Sequence, residues 1–329
     1  MSSIYKIYVH KNERNYLNRN SFKKKVNKRL KLLIEGIIAI IVIIFLLSKL
    51  NVGEIINILK ETNLLLLILA ILFFLISFFL TVLGVKILFD SIHPLSFKEW
   101  VKYSLCGFSL GLIFPGRAGD LSIIYLAKKK GFDYGTSTAL TLVDKISTLI
   151  IFGIIAGIGS FTILKSTELY LGLIVGALFI ILGLFLFTPT GRKIIRAIIG
   201  KYAIHFKGFN KAFTELIKNH KWRLFLNIII TLVRPIINGL VTVILFKAIG
   251  IDVSFLFAII ISTITIIVSL VPLTPNGIGI KEGVGIYLFT ILGISAEAAA
   301  SMYALTLAIY LSLGVIGITL YTLELKKEI

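Results

Sequence analysis

The chain has 329 residues, of which 57% are hydrophobic and 16% charged, and its net charge is +19. Its mean hydropathy is +0.98, and its apolar runs exceed the ~20 residues that a membrane-spanning helix needs. This composition excludes a sizeable soluble domain and predicts an all-α polytopic membrane protein with about eight transmembrane helices. The single cysteine, Cys106, excludes a disulfide framework within the chain.

The positive charge lies in two segments, and its placement predicts the topology. The N-terminal arm, residues 1–31, has ten Lys and Arg against one acid, and residues 191–223 have nine against one. Because basic residues flank spans on the cytoplasmic side, we expect the arm and a loop at residues 188–223 to lie in the cytoplasm of a cell-membrane protein. These charges orient the spans and attract anionic headgroups, so nucleic-acid binding is not expected.

The first half of the membrane region, residues 32–187, is predicted to contain four spans and one re-entrant hairpin. In chain order its spans and its outer loop are Leu32–Leu50, the loop Asn51–Asn63, Leu64–Phe89, Thr136–Phe161 and Leu169–Phe187. The hairpin lies near residues 97–127 and is broken by glycine and proline at residues 114–120. If Phe97–Phe114 crossed fully, the lysines at 128–130 would lie outside, against the positive-inside bias. A hairpin that returns to the cytoplasm removes this conflict.

The second half, residues 224–329, is predicted to repeat this pattern from the opposite side. It contains a span at Leu224–Phe246, a hairpin near residues 254–292 that is broken at Pro275, and a last span at Ala296–Leu323. The basic end of the last span places the C-terminus in the cytoplasm, so the second hairpin enters from outside. Two broken hairpins that enter from opposite faces are typical of an inverted repeat with a substrate site between its halves.

The glycine- and proline-broken tips of the hairpins are the candidate binding site. Backbone that leaves the helix at membrane depth is tolerated only where protein or a wet cavity supplies partners, and helix ends offer N–H groups to a phosphate or carboxylate. The candidate headgroup-binding residues are Gly116, Arg117, Gly119, Asp120, Asn276, Gly277, Gly279, Lys281 and Glu282. Arg117 can hold a phosphate with two parallel hydrogen bonds. Alternatively, the charged residues within each tip pair with one another and hold the turn together.

A second group of charges, Asp144, Lys145 and Arg234, lies inside predicted spans and forms a candidate intramembrane charge network. Two interpretations are open: Asp144 pairs with Arg234 for structural reasons, or Lys145 contacts a ligand. Pro235 leaves a carbonyl free beside the Arg234 cation. Basic or loop segments hold the four histidines, His10, His93, His205 and His220. The sequence therefore predicts neither a metal site nor a cofactor.

The basic loop is predicted to contain an amphipathic helix that lies on the membrane surface. Phe206, Phe209 and Phe213 recur at spacings of three and four residues, with Lys207 and Lys211 around them. This is the pattern of an interfacial helix. Such a helix would lie parallel to the bilayer, with its aromatic side chains in the headgroup region.

Two motifs resemble the signatures of a known membrane family. The first is residues 114–120, Phe-Pro-Gly-Arg-Ala-Gly-Asp, and the second is residues 274–283, Thr-Pro-Asn-Gly-Ile-Gly-Ile-Lys-Glu-Gly. They are similar to the Pro-Gly-Arg-x-Gly-Glu and Pro-Gly-Gly-x-Gly-x-(Arg/Lys)-Glu motifs of the flippase-like transmembrane family, which includes the membrane half of lysylphosphatidylglycerol synthases. The resemblance covers roughly residues 30–323. Asp120 stands where the family usually has Glu, and Asn276 stands where it has Gly.

The resemblance implies a protein that binds or flips a lipid with an anionic or phosphate-bearing headgroup, either an anionic phospholipid or a polyprenyl phosphate. The alternative is a non-catalytic membrane partner of a lipid-modifying enzyme or of a polyprenyl-phosphate glycosyltransferase. Since no aminoacyltransferase domain follows the last predicted span, we expect no enzymatic activity. The sequence leaves the oligomeric state open.

Overall fold

The computed structural model describes residues 36–113, 119, 122–163, 208–270 and 273–326, together with the isolated positions 181, 188 and 190. Within these ranges the regular structure is α-helical, as the composition predicts. In chain order the helices are α1 (Gly36–Ser48), α2 (Val52–Lys60), α3 (Leu64–Phe89), α4 (Phe97–Ile113), α5 (Ser122–Lys128), α6 (Tyr134–Ile163), α7 (Phe209–Asn219), α8 (Lys221–Ala248), α9 (Phe255–Val268), α10 (Ile280–Ile291) and α11 (Ala296–Lys326).

Four of the described helices, α3, α6, α8 and α11, are long and apolar enough to cross a membrane. A fifth span results if α1 and α2, which meet at an angle of 89°, are counted together. The chain is therefore a multi-pass all-α membrane protein. The number of eight spans stays a prediction, because the basic arm 1–31 and nearly all of the predicted span Leu169–Phe187 lie outside the described residues.

The segment Asn51–Asn63, which the sequence assigned to a short outer loop, contains helix α2. The Asn51 side chain accepts a hydrogen bond from the Glu54 N–H at 3.2 Å, an N-cap that satisfies a free donor of the first turn. Ile55 is buried, and the Asn51 N–H donates to Glu297 Oε1 at 3.2 Å, which ties α2 to α11. The loop prediction was wrong because it rested on the length of apolar runs, and α2 is too short to form one.

Helices α3 and α8 form an antiparallel pair whose register is fixed at both ends. At one end the Asn63 N–H donates to Ala248 O at 2.8 Å. At the other end Arg223 Nη1 donates to Ile87 O at 3.3 Å. A residue of α3 and a residue of α8 therefore lie at the same depth in the bundle when the first is as far from the start of α3 as the second is from the end of α8.

The first predicted hairpin consists of α4 and α5, joined by the glycine- and proline-rich break. A Cβ on Gly119 would lie 2.0 Å from Gly111 N, so Gly119 packs backbone to backbone against α4. At the base of the hairpin, Lys130 Nζ lies 2.8 Å from Glu99 Oε1, and this hydrogen bond lowers the pKa of the Glu99 carboxyl. The chain thus returns to the level at which α4 begins, as a re-entrant hairpin requires.

The second predicted hairpin consists of α9 and α10. Gly277 has a φ of +70°, and a Cβ there would lie 2.7 Å from Ser269 Cα, so this break also packs against its own first helix. With 14 residues in α9 and 12 in α10, each arm is shorter than the ~20 residues that span hydrocarbon. The entry of the two hairpins from opposite faces, and the inverted repeat, stay predictions.

Helix α7 lies where the sequence predicts an amphipathic helix, but its apolar face is buried in protein. Phe213 and Leu216 belong to a core cluster that includes Leu140 and Val143 of α6. The prediction of a helix on the membrane surface was wrong in this respect, because an apolar stripe packs against protein as well as against lipid. Phe206 lies outside the described residues.

Candidate anion-binding cavity

The interior of the helix bundle contains a cavity of about 120 Å³, which we call the main cavity. Residues of α3, α4, α5, α6, α8, α9 and α11 and of the second broken tip form its walls. Its polar and charged lining residues are Ser77, Thr81, Ser104, Lys145, Arg234, Asn238, Asn276 and Tyr310. Its other aromatic lining residues are Phe74, Phe78 and Phe108.

Two cationic side chains line the main cavity. Lys145 on α6 and Arg234 on α8 line it, and neither Asp nor Glu is among its described lining residues. Arg234 is 9% exposed, its Nη1 donates to Thr148 Oγ1 at 3.5 Å, and its guanidinium lies 5.8 Å from the centre of the Phe152 ring. Since cations at this depth are costly unless they pair or face a cavity, the arrangement favours an anionic occupant.

Asp144 lies beside Lys145 and connects three helices. Its Oδ1 accepts a hydrogen bond from Asn227 Nδ2 at 3.1 Å, and its Oδ2 lies 3.5 Å from Lys145 Nζ. Asn227 Nδ2 also donates to Gly84 O at 3.1 Å, which joins α3 to the pair. The ion pair of Asp144 with Arg234, one of the two interpretations of the sequence, is not formed among the described residues, because Asn227, two turns earlier on α8, faces the carboxylate instead.

A second cavity, of about 60 Å³, adjoins the main cavity. Its polar and charged lining residues are Asn238, Thr242, Ser262, Thr265, Lys281, Tyr303, Thr306 and Tyr310. Lys281 is 7% exposed, and its Nζ lies 3.6 Å from Glu282 Oε1 and 4.7 Å from the centre of the Tyr310 ring. Glu282 Oε2 accepts a hydrogen bond from the Gly279 N–H at 2.7 Å. Glu282 therefore caps α10, while Lys281 faces the cavity.

The predicted site residues reach these cavities unequally. Asn276 lines the main cavity and Lys281 lines the second. Asn276, Gly277 and Gly279 have positive φ angles of 49°, 70° and 86°, a region that favours glycine, so the tip requires this glycine-rich sequence. Gly119 packs against α4. The predicted residues outside the described part of the chain are Gly116, Arg117 and Asp120.

Residues 32–317 match the family model described as "Lysylphosphatidylglycerol synthase TM region". The chain belongs to this family. A relative is a "UPF0104 membrane protein" of Archaeoglobus fulgidus, which is 25% identical over 280 residues that cover 78% of this chain and 85% of the relative. The match confirms the resemblance that the two motifs indicate, and all described lining residues of both cavities lie within the matched range.

In this member of the lysylphosphatidylglycerol synthase TM-region family, sequence reasoning missed the neutral polar residues of the cavities, above all Asn238. A signal was present, because Asn227, Arg234 and Asn238 follow one another at spacings of seven and four residues on α8, which places them on one helical face. A buried amide is costly to leave unpaired, so amides inside a span indicate a cavity much as charges do. Tyr310 was missed because an aromatic residue in a span carries no such signal.

Side chains that could bind a metal or act as a nucleophile are few in the described part of this family member. No group of three His, Cys, Asp or Glu in that part could hold a metal ion. Cys106 is buried on α4. The absence of a metal and of a cofactor stays a prediction.

Proposed function

We propose that this protein binds a lipid with an anionic, phosphate-bearing headgroup in the main cavity and moves that headgroup across the membrane. The observation that carries the proposal is the presence of Lys145 and Arg234 together in a cavity whose described lining residues include neither Asp nor Glu. Anionic phospholipids and polyprenyl phosphates both carry such a headgroup.

The geometry suits a phosphate better than a cationic or neutral headgroup. A guanidinium can donate two parallel hydrogen bonds to a phosphate, and Lys145 adds a second positive charge. Ser104 Oγ is buried and has no hydrogen-bond partner among the described residues, and the Asn238 amide offers N–H donors. Attraction between these groups and an anion is stronger here than in water, because the surrounding protein has a lower dielectric constant.

The cavity accommodates a headgroup and not a whole lipid. A volume of about 120 Å³ suits a phosphate with a few water molecules, so the acyl or prenyl chains have to stay in the bilayer. Helix α3 presents exposed apolar side chains to them, among them Leu65, Ile68 and Leu72. If the headgroup moves through the protein while its chains stay in the bilayer, the cost of taking a bare charge through hydrocarbon is avoided.

Reconstituted protein tests the proposal. Proteoliposomes of phosphatidylcholine and phosphatidylglycerol carry NBD-labelled phosphatidylglycerol, and dithionite then bleaches the label in the outer leaflet. We expect the protein to expose inner-leaflet label to dithionite, and Arg234→Met to slow this by about tenfold or more, since hydrogen bonds to charged groups are the strong ones. NBD-labelled phosphatidylcholine is the control headgroup without net charge. Equal movement of both lipids, or a wild-type rate in a folded Arg234→Met protein, contradicts the proposal.

The same proposal assigns a phosphate contact to Arg117 at the tip of the first hairpin. Arg117→Lys keeps the charge but loses the two-pronged geometry of the guanidinium. We therefore expect Arg117→Lys protein to fold normally and to move lipid more slowly. Stable Arg117→Ala protein with a wild-type rate excludes this role.

A second candidate function is that of a non-catalytic membrane partner of a lipid-modifying enzyme or of a polyprenyl-phosphate glycosyltransferase. The description of the matched family as a region of a synthase favours it. The reconstitution separates the two functions, because a partner is expected to bind the anionic lipid without moving it. In either case the proposal assigns no enzymatic activity to this chain.

The proposed location is the cell membrane, with both termini in the cytoplasm. The charges of residues 1–31 and 191–223 support this orientation, because basic segments are retained on the cytoplasmic side. An anionic leaflet also attracts these segments, by about 1 kcal/mol for each basic residue near the surface.

A further inference from the structure

One side of α6 carries four polar residues, which we call the polar row: Ser137, Thr141, Asp144 and Thr148. Their spacings of four, three and four residues place them on the same face of the helix. Ser137 is 0% exposed, Thr141 is 3% exposed and Asp144 is 2% exposed. At the inner end of the row, Thr148 Oγ1 accepts a hydrogen bond from Arg234 Nη1 at 3.5 Å. Since Arg234 lines the main cavity, the polar row ends beside that cavity.

The outer end of the polar row lies at the face of the bundle that we predict to be cytoplasmic. Ser137 is in the first turn of α6. Phe132, just before α6, packs against Phe89 at the end of α3, with ring centres 5.4 Å apart. Arg223, which belongs to the basic segment 191–223, binds this same end of α3 through Ile87 O. The polar row therefore leads from this face inward to the main cavity.

Two hydroxyls of the polar row, those of Ser137 and Thr141, have no hydrogen-bond partner among the described residues. By contrast, Thr138 and Thr148 on the same helix each donate to the carbonyl four residues earlier, which is a common partner for a helical hydroxyl. A buried hydroxyl without a partner is costly, and ordered water commonly supplies one. Residues at these spacings lie about 5–6 Å apart, a distance that one water molecule with two hydrogen bonds bridges.

We infer that Asp144 is a proton-binding residue, which takes up a proton from the cytoplasmic face through Ser137, Thr141 and intervening water when the headgroup binds. Asp144 Oδ2 accepts no hydrogen bond from a described residue. It lies 3.5 Å from Lys145 Nζ, and Lys145 lines the main cavity. This inference rests on the proposed function and adds a second ion to it.

A phosphate in the main cavity competes with Asp144 for Lys145. When Lys145 turns to the phosphate, the carboxylate loses its cation, and an unpaired charge at this burial is costly. One proton, passed from water at the cytoplasmic face to Oδ2, converts the carboxylate to a neutral carboxylic acid. Asn227 Nδ2 can still donate to Oδ1. Anion and proton therefore bind together and leave together, so the headgroup carries a proton with it.

The other charged groups on the helices packed against α6 are engaged elsewhere or lie near helix ends. Helix α9 contains no titratable residue, and Arg234 contacts Thr148, one turn beyond Asp144. The remaining titratable groups on α3, α5, α7, α8 and the start of α6 are Lys86 with its partner Asp90, Tyr125, Lys128 with its partner Tyr134, Lys211, Glu215, Lys218, Lys221, Arg223 and Lys247. A metal cation is disfavoured at Asp144, because Lys145 Nζ lies beside the same oxygen.

Calorimetric titration in two buffers of different ionisation enthalpy counts the protons taken up on binding. Purified protein in detergent is titrated near neutral pH with dihexanoyl phosphatidylglycerol, whose phosphate does not titrate there. We expect the wild-type protein to take up a fraction of a proton, to a maximum of about one, for each lipid bound. Asp144→Asn, which keeps an acceptor for Asn227, should take up none.

The outcomes of the titration separate this inference from the proposed function. If the probe binds to the wild-type protein without proton uptake, or if Asp144→Asn takes up as many protons, the inference is wrong. If the probe does not bind, or binds no more tightly than dihexanoyl phosphatidylcholine, the proposed function itself fails. If Asp144→Asn does not fold, as judged by gel filtration, the wild-type proton count and the variants of the path decide.

The path is tested by Ser137→Ala combined with Thr141→Val in the dithionite assay. Wild-type protein should move labelled phosphatidylglycerol about threefold faster or more at about pH 6 than at about pH 8, because protons favour the lipid-bound state. The double variant should bind the probe normally but move the lipid about threefold more slowly or less at about pH 8. Thr138→Val is the matched control, because its hydroxyl donates to Tyr134 O. A wild-type rate in the folded double variant, or equal slowing by Thr138→Val, excludes the path.

Discussion

Asn227 joins three helices through one side-chain amide. Its Nδ2 donates both to Gly84 O on α3 and to Asp144 Oδ1 on α6, and the residue is fully buried on α8. A buried acceptor that loses its donor cannot accept a hydrogen bond from water instead, because water does not reach it. The stability of the bundle should therefore depend on this residue more than on the charges that face the cavities.

Asn227→Ala should lower the free energy of unfolding by about 1–3 kcal/mol, because it leaves the Asp144 carboxylate without its amide donor. The measurement is thermal or denaturant unfolding of the purified protein in detergent. The matched variants are Asp144→Ala and the double variant, which removes both partners. The loss in the double variant should be smaller than the sum of the two single losses, and additive losses would show that the two side chains are not coupled.

Gly119→Ala tests the backbone contact that closes the first hairpin. An added Cβ would lie 2.0 Å from Gly111 N and 2.3 Å from Gly107 O, and backbone atoms cannot move aside as the end of a side chain can. Overpacking of this kind costs about 1–3 kcal/mol, so the melting temperature should fall. Gly157→Ala on α6 is the matched control, because no atom lies within 4 Å of its added Cβ. Equal melting temperatures for the two variants would contradict this hairpin geometry.

The docking of α7 is an element-scale prediction, since the helix packs against protein and not against lipid. Leu216 is fully buried, whereas Thr214 on the same helix is exposed. Leu216→Ala should lower the free energy of unfolding by about 2–5 kcal/mol, and Thr214→Ala should change it by less than about 0.5 kcal/mol. Unfolding is measured in detergent and again in anionic vesicles. A loss at Leu216 that occurs only in the vesicles would assign the contact to lipid.

Long helices were predictable from the sequence, and short ones were not. The span predicted at Leu64–Phe89 matches α3 at both ends, because a run of this length has no other stable structure in lipid. Helix α2 has nine residues, and its structure depends on the Asn51 cap and on packing against α11. The break of the second hairpin was predictable because glycine and proline mark it.

The candidate site was predictable in its charges but not in its shape. Lys145, Arg234 and Lys281 were recognisable because charged residues inside a span are rare and face the interior. Which of the two cavities each of these cations lines depends on how the helices pack. The spacing of residues along the chain does not determine that packing. The partner of Asp144 illustrates this: Asn227 and Arg234 lie on one face of α8, and the position of that helix along its axis against α6 decides which of them meets the carboxylate.

At the scale of the whole molecule, the α3–α8 pair defines two opposite levels of the bundle. The level of Asn63 and Ala248 marks one face, and the level of Ile87 and Arg223 marks the other. The basic segment 191–223 joins α8 at the second level, so this is the face that we predict to be cytoplasmic. The main cavity, which Thr81 and Arg234 line, lies nearer to this level, and the second cavity, which Thr242 lines, lies nearer to the other level.

Cysteine labelling at two surface positions tests this orientation. Lys60, at the end of α2, and Lys221, at the start of α8, are both exposed and lie at opposite levels. In intact cells a membrane-impermeant maleimide should label Lys60→Cys and not Lys221→Cys, and permeabilised cells should label both. The background should be low because Cys106 is 1% exposed, and Cys106→Ser is the control. The reverse pattern would invert the predicted topology and would place the main cavity nearer to the outer face, while leaving the cavities themselves unchanged.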